Sequence, residues 1–312
     1  MHEVDASFIL QDVRIVSNLV GTFHVRWKNI CNLSILVGSI LRSRAVIVWF
    51  ASGQAAVFSF VIAKLLRKQF VAMAGGSEVA SDRRIHGMGV RSDIRFAFTK
   101  VLLNNADFVL SVSRFTLKEV LSIARPKRFM VMYHGIDTKA FCSQTTDKDI
   151  VLTVAVSGLW RKGIDRFLNV ASLLPHRKFV LAGGGTDQVL WRASLPNLFI
   201  TGKLPDLKPL FERAKFYCQL SRHEGFGVAV AEAMACKCVP VVSDSGALPE
   251  VVGCCGVVVP NGDPAKAAKA IEGLWDHGDE LAESARDRVV SLYSVEQRVE
   301  GFRTVLRELG CL

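Results

Sequence analysis

The run Ala45–Ala63, AVIVWFASGQAAVFSFVIA, holds 19 residues without a charge, with Arg42 and Arg44 just before it and Lys64, Arg67 and Lys68 just after. A stretch of that length meets the criterion for a membrane-spanning helix. Its centre argues for something else. Ala51–Gln54 reads ASGQ, a turn-like break; a β-branched strand run precedes it and a helix-like run follows. A strand–loop–helix unit of a parallel sheet has this composition, because such a strand is buried on both faces. The run is therefore read as strand, turn and helix of an α/β protein.

The same alternation continues in both directions. Further strands are expected at Val13–Ser17, Phe70–Ala74, Phe108–Val112 and Arg128–Tyr133, with Ala45–Trp49 among them. A second series follows at Val151–Val156, Lys178–Ala182, Leu198–Thr201, Phe216–Leu220, Val239–Ser243 and Gly256–Val259. Helices fit between them, at His24–Leu41, Ile94–Asn105, Ile164–Leu174, Val228–Ala235 and Pro264–His277. Alternation of this kind means parallel sheets covered by helices. The polar stretch Ser143–Asp149 (SQTTDKD) separates the two series, which predicts two Rossmann-like domains, 1–147 and 148–293, hinged near residue 147. Ligands of such folds bind beyond the carboxyl ends of the strands, so the loops after strands should carry the chemistry.

Composition bounds the rest. Among 312 residues, 50% are apolar and 22% charged, enough for a buried core and far from a disordered or fibrous chain. The net charge of +10 is uneven. Residues 1–147 hold 19 basic and 10 acidic side chains, whereas residues 148–312 hold 20 and 19. The basic half implies an anionic partner: a phosphorylated ligand, a membrane surface or nucleic acid. Nucleic acid is disfavoured, because no RNP-like motif or aromatic stacking run accompanies the charge. The eight cysteines show neither CxxC nor zinc-ligand spacing. They read as free thiols in a reducing cytosol. The opening MHEVDASFILQD lacks a basic region before its apolar residues, unlike a signal peptide.

The richest chemistry lies in Ser221–Pro240, SRHEGFGVAVAEAMACKCVP. Glu224 precedes a Gly-Phe-Gly turn and should sit ahead of a helix N-terminus, whose free N–H groups favour anions. Glu232 is the only charge within Gly225–Cys236. A carboxylate in so apolar a helix needs a partner. That partner is either an ion pair inside the protein or a ligand offering hydroxyl donors, such as a ribose or sugar. Gly183, Gly184 and Gly185 follow a strand and allow close backbone approach, but they lack the Gly-Lys-Ser/Thr ending of a P-loop.

These segments together resemble family 4 retaining glycosyltransferases of the GT-B fold. The resemblance is carried by the Glu-x7-Glu spacing with EAMACKCVPVVSDSGALPEVV, and by VVVPNGDPAKAAKAI, ADFVLSVSRFTLKEV, YHGIDTKAF, LTVAVSGLWRKGIDRFL and FVLAGGGTD. It covers residues 106–312 well and 13–105 more loosely. It implies two Rossmann-like domains facing across a cleft: an acceptor-binding domain 1–147, a donor-binding domain 148–293, and a last helix, 294–312, packing back toward the first. It implies sugar transfer from a nucleotide-diphosphate sugar to a hydroxyl acceptor, a carbohydrate or lipid-linked glycan. The alternatives of the same architecture are a non-catalytic nucleotide-sugar-binding partner and a sugar-nucleotide epimerase.

By the same resemblance Lys162 neutralises the donor diphosphate, with Arg161 beside it. Glu232 accepts from the ribose hydroxyls and Glu224 positions the donor sugar. Phe226, Gly227 and Val228 offer backbone N–H groups, and Gly183 and Gly184 line the donor. No metal or other cofactor is expected, since Lys162 and helix dipoles supply the positive charge. The enzyme would be cytoplasmic, at the periphery of an anionic inner membrane face.

The first domain departs from the family pattern. Only Gly21 stands where a glycine-rich acceptor or phosphate loop is usual, and Gly75 stands where a histidine is usual. His24 and His86 are nearby candidates for that role, each equally readable as an ordinary histidine. Val156 replaces an arginine usual six positions before the diphosphate lysine. The domain is also one strand–helix unit short.

Overall fold

The computed structural model describes residues 36–86, 90–186 and 195–312. The expected strand Val13–Ser17 and the candidates Gly21 and His24 lie outside them, as does most of the expected helix His24–Leu41. The chain forms two compact units, Met1–Gly135 with Val295–Leu312, and Ile136–Ser294.

In the first unit the uncharged run divides as its centre suggested. β1 (Ala45–Trp49) runs into a turn, and α1 (Gln54–Leu65) follows. Positive φ at Phe50 (56°) and Gly53 (86°) reverses the chain between them. No helix among the described residues is long and apolar enough to cross a membrane. β2 (Gln69–Ala74), α2 (Val90–Asn105), β3 (Phe108–Ser111), α3 (Arg114–Ile123) and β4 (Phe129–Val131) complete the described unit. The strands form a parallel sheet in the order β1-β2-β3-β4. Ser113 caps α3, its hydroxyl accepting from the Thr116 N–H at 2.9 Å. Phe70, Ala72, Ala74 and Val109 of the sheet pack with Leu102 and Leu103 of α2 in one core. His86 ends a single helical turn, Arg83–His86.

The second unit carries β5 (Ile150–Val154), α4 (Ile164–Leu173), β6 (Lys178–Ala182), β7 (Leu198–Gly202), α5 (Lys208–Arg213), β8 (Ala214–Gln219), α6 (Val228–Ala235), β9 (Val239–Ser243), α7 (Leu248–Val252), β10 (Val257–Val259), α8 (Pro264–Gly273) and α9 (Asp279–Leu292). Its sheet is parallel, in the order β10-β9-β8-β5-β6-β7. The chain goes one way from β5 through β6 and β7, then returns to the other side with β8. The β5–β8 junction is thus the topological switch point, where parallel sheets bind ligands.

The unit boundary falls at Gly135–Ile136 rather than near residue 147. The polar stretch is bound into the second unit. Phe141 packs edge-on to Phe211 with centroids 5.9 Å apart, Ser143 Oγ donates to the Glu212 carbonyl, and Lys148 Nζ donates to the Ala214 and Cys236 carbonyls at 3.1 and 2.8 Å. Polar side chains here serve backbone acceptors of the core, which composition alone reads as a linker.

The last helix, α10 (Val295–Glu308), belongs to the first unit. Its buried Arg298 donates to the Tyr133 carbonyl at 2.6 Å and lies over the Trp49 and Phe302 rings, 5.3 Å from each centroid. The described cysteines are all free. Burial pushes the Cys218 and Cys238 thiols up to about 12, the behaviour of packed hydrophobes rather than nucleophiles.

Candidate active site

Three loops meet beyond the carboxyl ends of β6, β5 and β8, which are neighbours in the sheet. The loop after β5 is built on Gly163, the N-cap of α4 at φ 70°. A Cβ there would lie 2.0 Å from the Leu220 carbonyl oxygen, so the loop rests directly on the backbone leaving β8. Arg222 locks the contact. Its N–H donates to the Arg161 carbonyl, its guanidinium grips Asp165 at 2.7 and 2.8 Å, and it lies over the Trp160 ring. The Arg222 hydrogen bond holds the Asp165 carboxyl below its ordinary range. After β6, Gly183 at φ 118° comes as close to Ala155, whose carbonyl oxygen would stand 2.2 Å from a Cβ. Gly184 is open, with nothing nearer than 3.8 Å.

This scaffold predicts different fates for neighbouring glycines. Gly163→Ala meets backbone at 2.0 Å in a left-handed conformation, and should cost at least about 2 kcal/mol. That lowers the melting temperature by several degrees. Gly184→Ala should leave it unchanged within a degree. Calorimetric melting of both variants checks this, and equal effects would contradict the close approach of the two loops.

The packed loops bring Lys162 and Glu224 together. Lys162 Nζ donates to Glu224 Oε2 at 2.6 Å, and both side chains keep a minority of their surface exposed. Glu224 stands in the loop after β8, ahead of α6; the helix begins only at Val228, so it does not run through both glutamates. Gly246 (φ 66°) sits under the Glu224 backbone, where a Cβ would fall 2.3 Å from its carbonyl oxygen, and the Ala247 N–H donates to that carbonyl. Gly227, left-handed at φ 100°, is the N-cap of α6 and supplies no side-chain cap to its first N–H groups. Val228 opens the helix. The Phe226 ring is buried edge-on against Tyr293 at 5.3 Å, leaving only its backbone for a ligand.

Glu232 lies one turn further along α6. Among the described residues no side chain pairs with its carboxylate, so none of them makes the internal ion pair that the sequence left open. Burial pushes this carboxyl up to about 7 from an ordinary 4.5. Arg161 likewise makes no described side-chain bond. Among the described residues the site therefore holds a paired cation and carboxylate at the switch point, a second carboxylate and a guanidinium that no described side chain pairs, and a helix N-terminus without a side-chain cap.

Sequence reading missed the support under Glu224. Gln219 and Tyr217, buried at the end of β8, hydrogen-bond toward it. The only hint was a glutamine inside an otherwise apolar strand.

Residues 148–277 match the family model described as Glycosyl transferases group 1. The chain is 27% identical over 187 residues to the GDP-mannose:cellobiosyl-diphosphopolyprenol alpha-mannosyltransferase of Xanthomonas oryzae, covering 50% of this chain and 46% of that protein. It is 28% identical over 202 residues to the lipopolysaccharide core biosynthesis mannosyltransferase LpcC of Rhizobium leguminosarum, 56% of each. The chain spans about half the length of these curated relatives. Its fold is similar to that of Anabaena HepE, solved in complex with UDP-glucose, with a TM-score of 0.77 at 17% identity over 89% of this chain and 82% of that one. Residues 148–277 thus resemble the glycosyl transferases group 1 family, and the two parallel α/β units have the GT-B fold of the similar solved structures.

Proposed function

We propose that the chain is a retaining glycosyltransferase that takes its sugar from a nucleotide-diphosphate donor bound in the second unit. The observation that carries this reading is the Lys162–Glu224 pair at the β5–β8 switch point, next to the uncapped start of α6 and the unpartnered Glu232. Lys162 rests on Glu224. When donor enters, Lys162 turns to the diphosphate, helped by Arg161 and the α6 N-terminus. Glu224 takes hydroxyls of the sugar, and Glu232 those of the ribose. The acceptor hydroxyl attacks the anomeric carbon on the face the leaving diphosphate departs from, and the diphosphate takes up its proton. The protein's part is orientation and stabilisation of charge on the leaving group. The reading requires no metal, because the cationic groups named meet the diphosphate charge.

The relatives named above make GDP-mannose the first donor to test, with UDP-glucose second, and a lipid-linked glycan the first acceptor. A thermal-shift series with GDP-, UDP- and ADP-sugars tests the reading, since at equal concentration the donor that binds more tightly stabilises more. One nucleotide series should raise the melting temperature, and release of the nucleoside diphosphate should follow on adding acceptor. Stabilisation without product would mark a binding partner that kept the fold; no stabilisation by any of them would overturn the reading.

We further infer that the first unit docks on anionic lipid. Phe58, Val61 and Leu65 on α1 and Ile94, Phe98 and Val101 on α2 are between 41% and 78% exposed, at spacings that put each trio on one helix face. Arg67, Lys68, Arg95 and Lys100 lie among them in the sequence. Each basic group near such a surface gains about 1 kcal/mol. The protein should sediment with phosphatidylserine-containing vesicles at low salt and be released at high salt. Equal recovery in the supernatant with neutral and anionic vesicles would end the idea.

A further inference from the structure

A one-way chain of hydrogen bonds ends on Glu224. It begins at the Val154 N–H, which donates to Tyr217 Oη at 3.3 Å. A backbone N–H cannot accept, so the tyrosine must spend its own proton elsewhere, and it donates to Gln219 Oε1 at 3.1 Å. That fixes the amide: its NH₂ faces the other way, donating to Glu224 Oε2 at 2.7 Å and to Ser221 Oγ at 3.1 Å. Tyr217, Gln219 and Ser221 are buried. All three polar functions of the amide are used, and none can be exchanged for bulk water without loss.

We propose that Gln219 is the positioning residue for Glu224, holding its carboxylate in place when Lys162 leaves it for the donor. This rests on the glycosyltransferase reading for its consequence, but not for its geometry. Lys162 and Gln219 share one oxygen, Oε2. With the lysine gone, Gln219 keeps that oxygen anchored and leaves Oε1 to the sugar. A wrong rotamer of Glu224 would forfeit the sugar contact while the nucleotide still bound.

Two substitutions separate positioning from packing. Gln219→Leu removes the donor to Glu224 and the acceptor for Tyr217 without adding a charge. Gln219→Glu keeps the shape but turns a carboxylate toward Glu224, and two carboxylates at such a distance share a proton. The folded pair then titrates above the unfolded carboxyls, so Gln219→Glu loses stability as pH rises from about 4.5 toward neutrality and regains it as pH falls. Melting curves of both variants between pH 5 and 8, without any ligand, should show this extra dependence in Gln219→Glu relative to Gln219→Leu. If both follow the same pH profile, Gln219 does not face Glu224 and the proposal is overturned.

With GDP-mannose and UDP-glucose the second readout is binding. Gln219→Leu should bind GDP or UDP like wild type, within twofold, and lose at least tenfold in turnover of the donor that wild type uses. Equal losses in nucleotide binding and turnover would make Gln219 merely structural. Wild-type protein that binds neither donor would defeat the glycosyltransferase reading, while the ligand-free melting comparison would still decide the placement of Gln219.

Discussion

Lys162→Ala should weaken binding of free nucleoside diphosphate and of intact nucleotide sugar by the same factor, about 10- to 100-fold, the loss of a charge-assisted hydrogen bond of about 1.5–3 kcal/mol. A nucleoside without phosphates binds as before. The equality follows from the chemistry, since both phosphorylated ligands carry the same diphosphate on the same nucleoside. Lys162 also covers Glu224 in the empty protein, so a loss of stability accompanies the change. That loss is modest, because Gln219 still donates to the same carboxylate oxygen and part of the pair faces solvent. Titration calorimetry on the three ligands checks the result. Equal weakening of all three would mean that Lys162 only supports the loop.

The second large effect is a pH dependence located at Glu232. Its folded carboxyl is raised to about 7 by burial, against an ordinary 4.5. Ionisation is therefore disfavoured in the fold: the contribution of Glu232 to stability is fully present below about 4.5 and is lost as pH rises through that interval to about 7. At roughly 1.4 kcal/mol per pKa unit this is on the order of 3 kcal/mol. On the proposed reading, ribose hydroxyls donate to the ionised form. Binding below pH 7 must then expel the proton, and nucleotide affinity should fall nearly tenfold for each pH unit below that point. Glu232→Gln removes the dependence, holds affinity flat with pH, and lowers it at pH 8 by about 10- to 100-fold. It should also stabilise the empty protein at pH 8. Calorimetry in buffers of different ionisation enthalpy measures the proton released. The same proton release from Glu232→Gln as from wild type would place the titrating group elsewhere.

How far the sequence reached depends on whether each signal is local. Ala45–Trp49, Lys178–Ala182 and Val239–Ser243 are strands, and Val228–Ala235 a helix, at their expected bounds. Each is bracketed by turn residues or charges that end the pattern within a few positions. β8 starts at Ala214, earlier than expected, because Lys215 interrupts the apolar run; its ammonium lies over the Trp275 ring, 5.7 Å from the centroid, a partner that local reading cannot supply. α8 stops at Gly273 rather than His277, and its start is announced by Asp263, whose carboxylate accepts from the Ala265 N–H ahead of Pro264. The site divides the same way. Glu224, Glu232 and the glycine turn lie in one short segment and could be read together. The Lys162–Glu224 contact spans 62 residues and the Val154–Tyr217 bond spans 63. Such pairs exist only because β5 and β8 become neighbours at the switch point, which no local pattern states.

The central claim, that one extended donor spans two carboxylates with separate tasks, is tested most directly by Glu224→Gln. Its carboxylate is held by Lys162 and Gln219; on the proposed reading it takes the sugar, and removing its charge frees Lys162 for the diphosphate. Free nucleoside diphosphate should bind to Glu224→Gln as tightly as to wild type or slightly more so, while sugar transfer falls about a hundredfold or more. Nucleotide affinity and turnover measured on the same preparation of Glu224→Gln, beside Glu232→Gln, give the answer. Loss of nucleotide binding in Glu224→Gln with none in Glu232→Gln would contradict it.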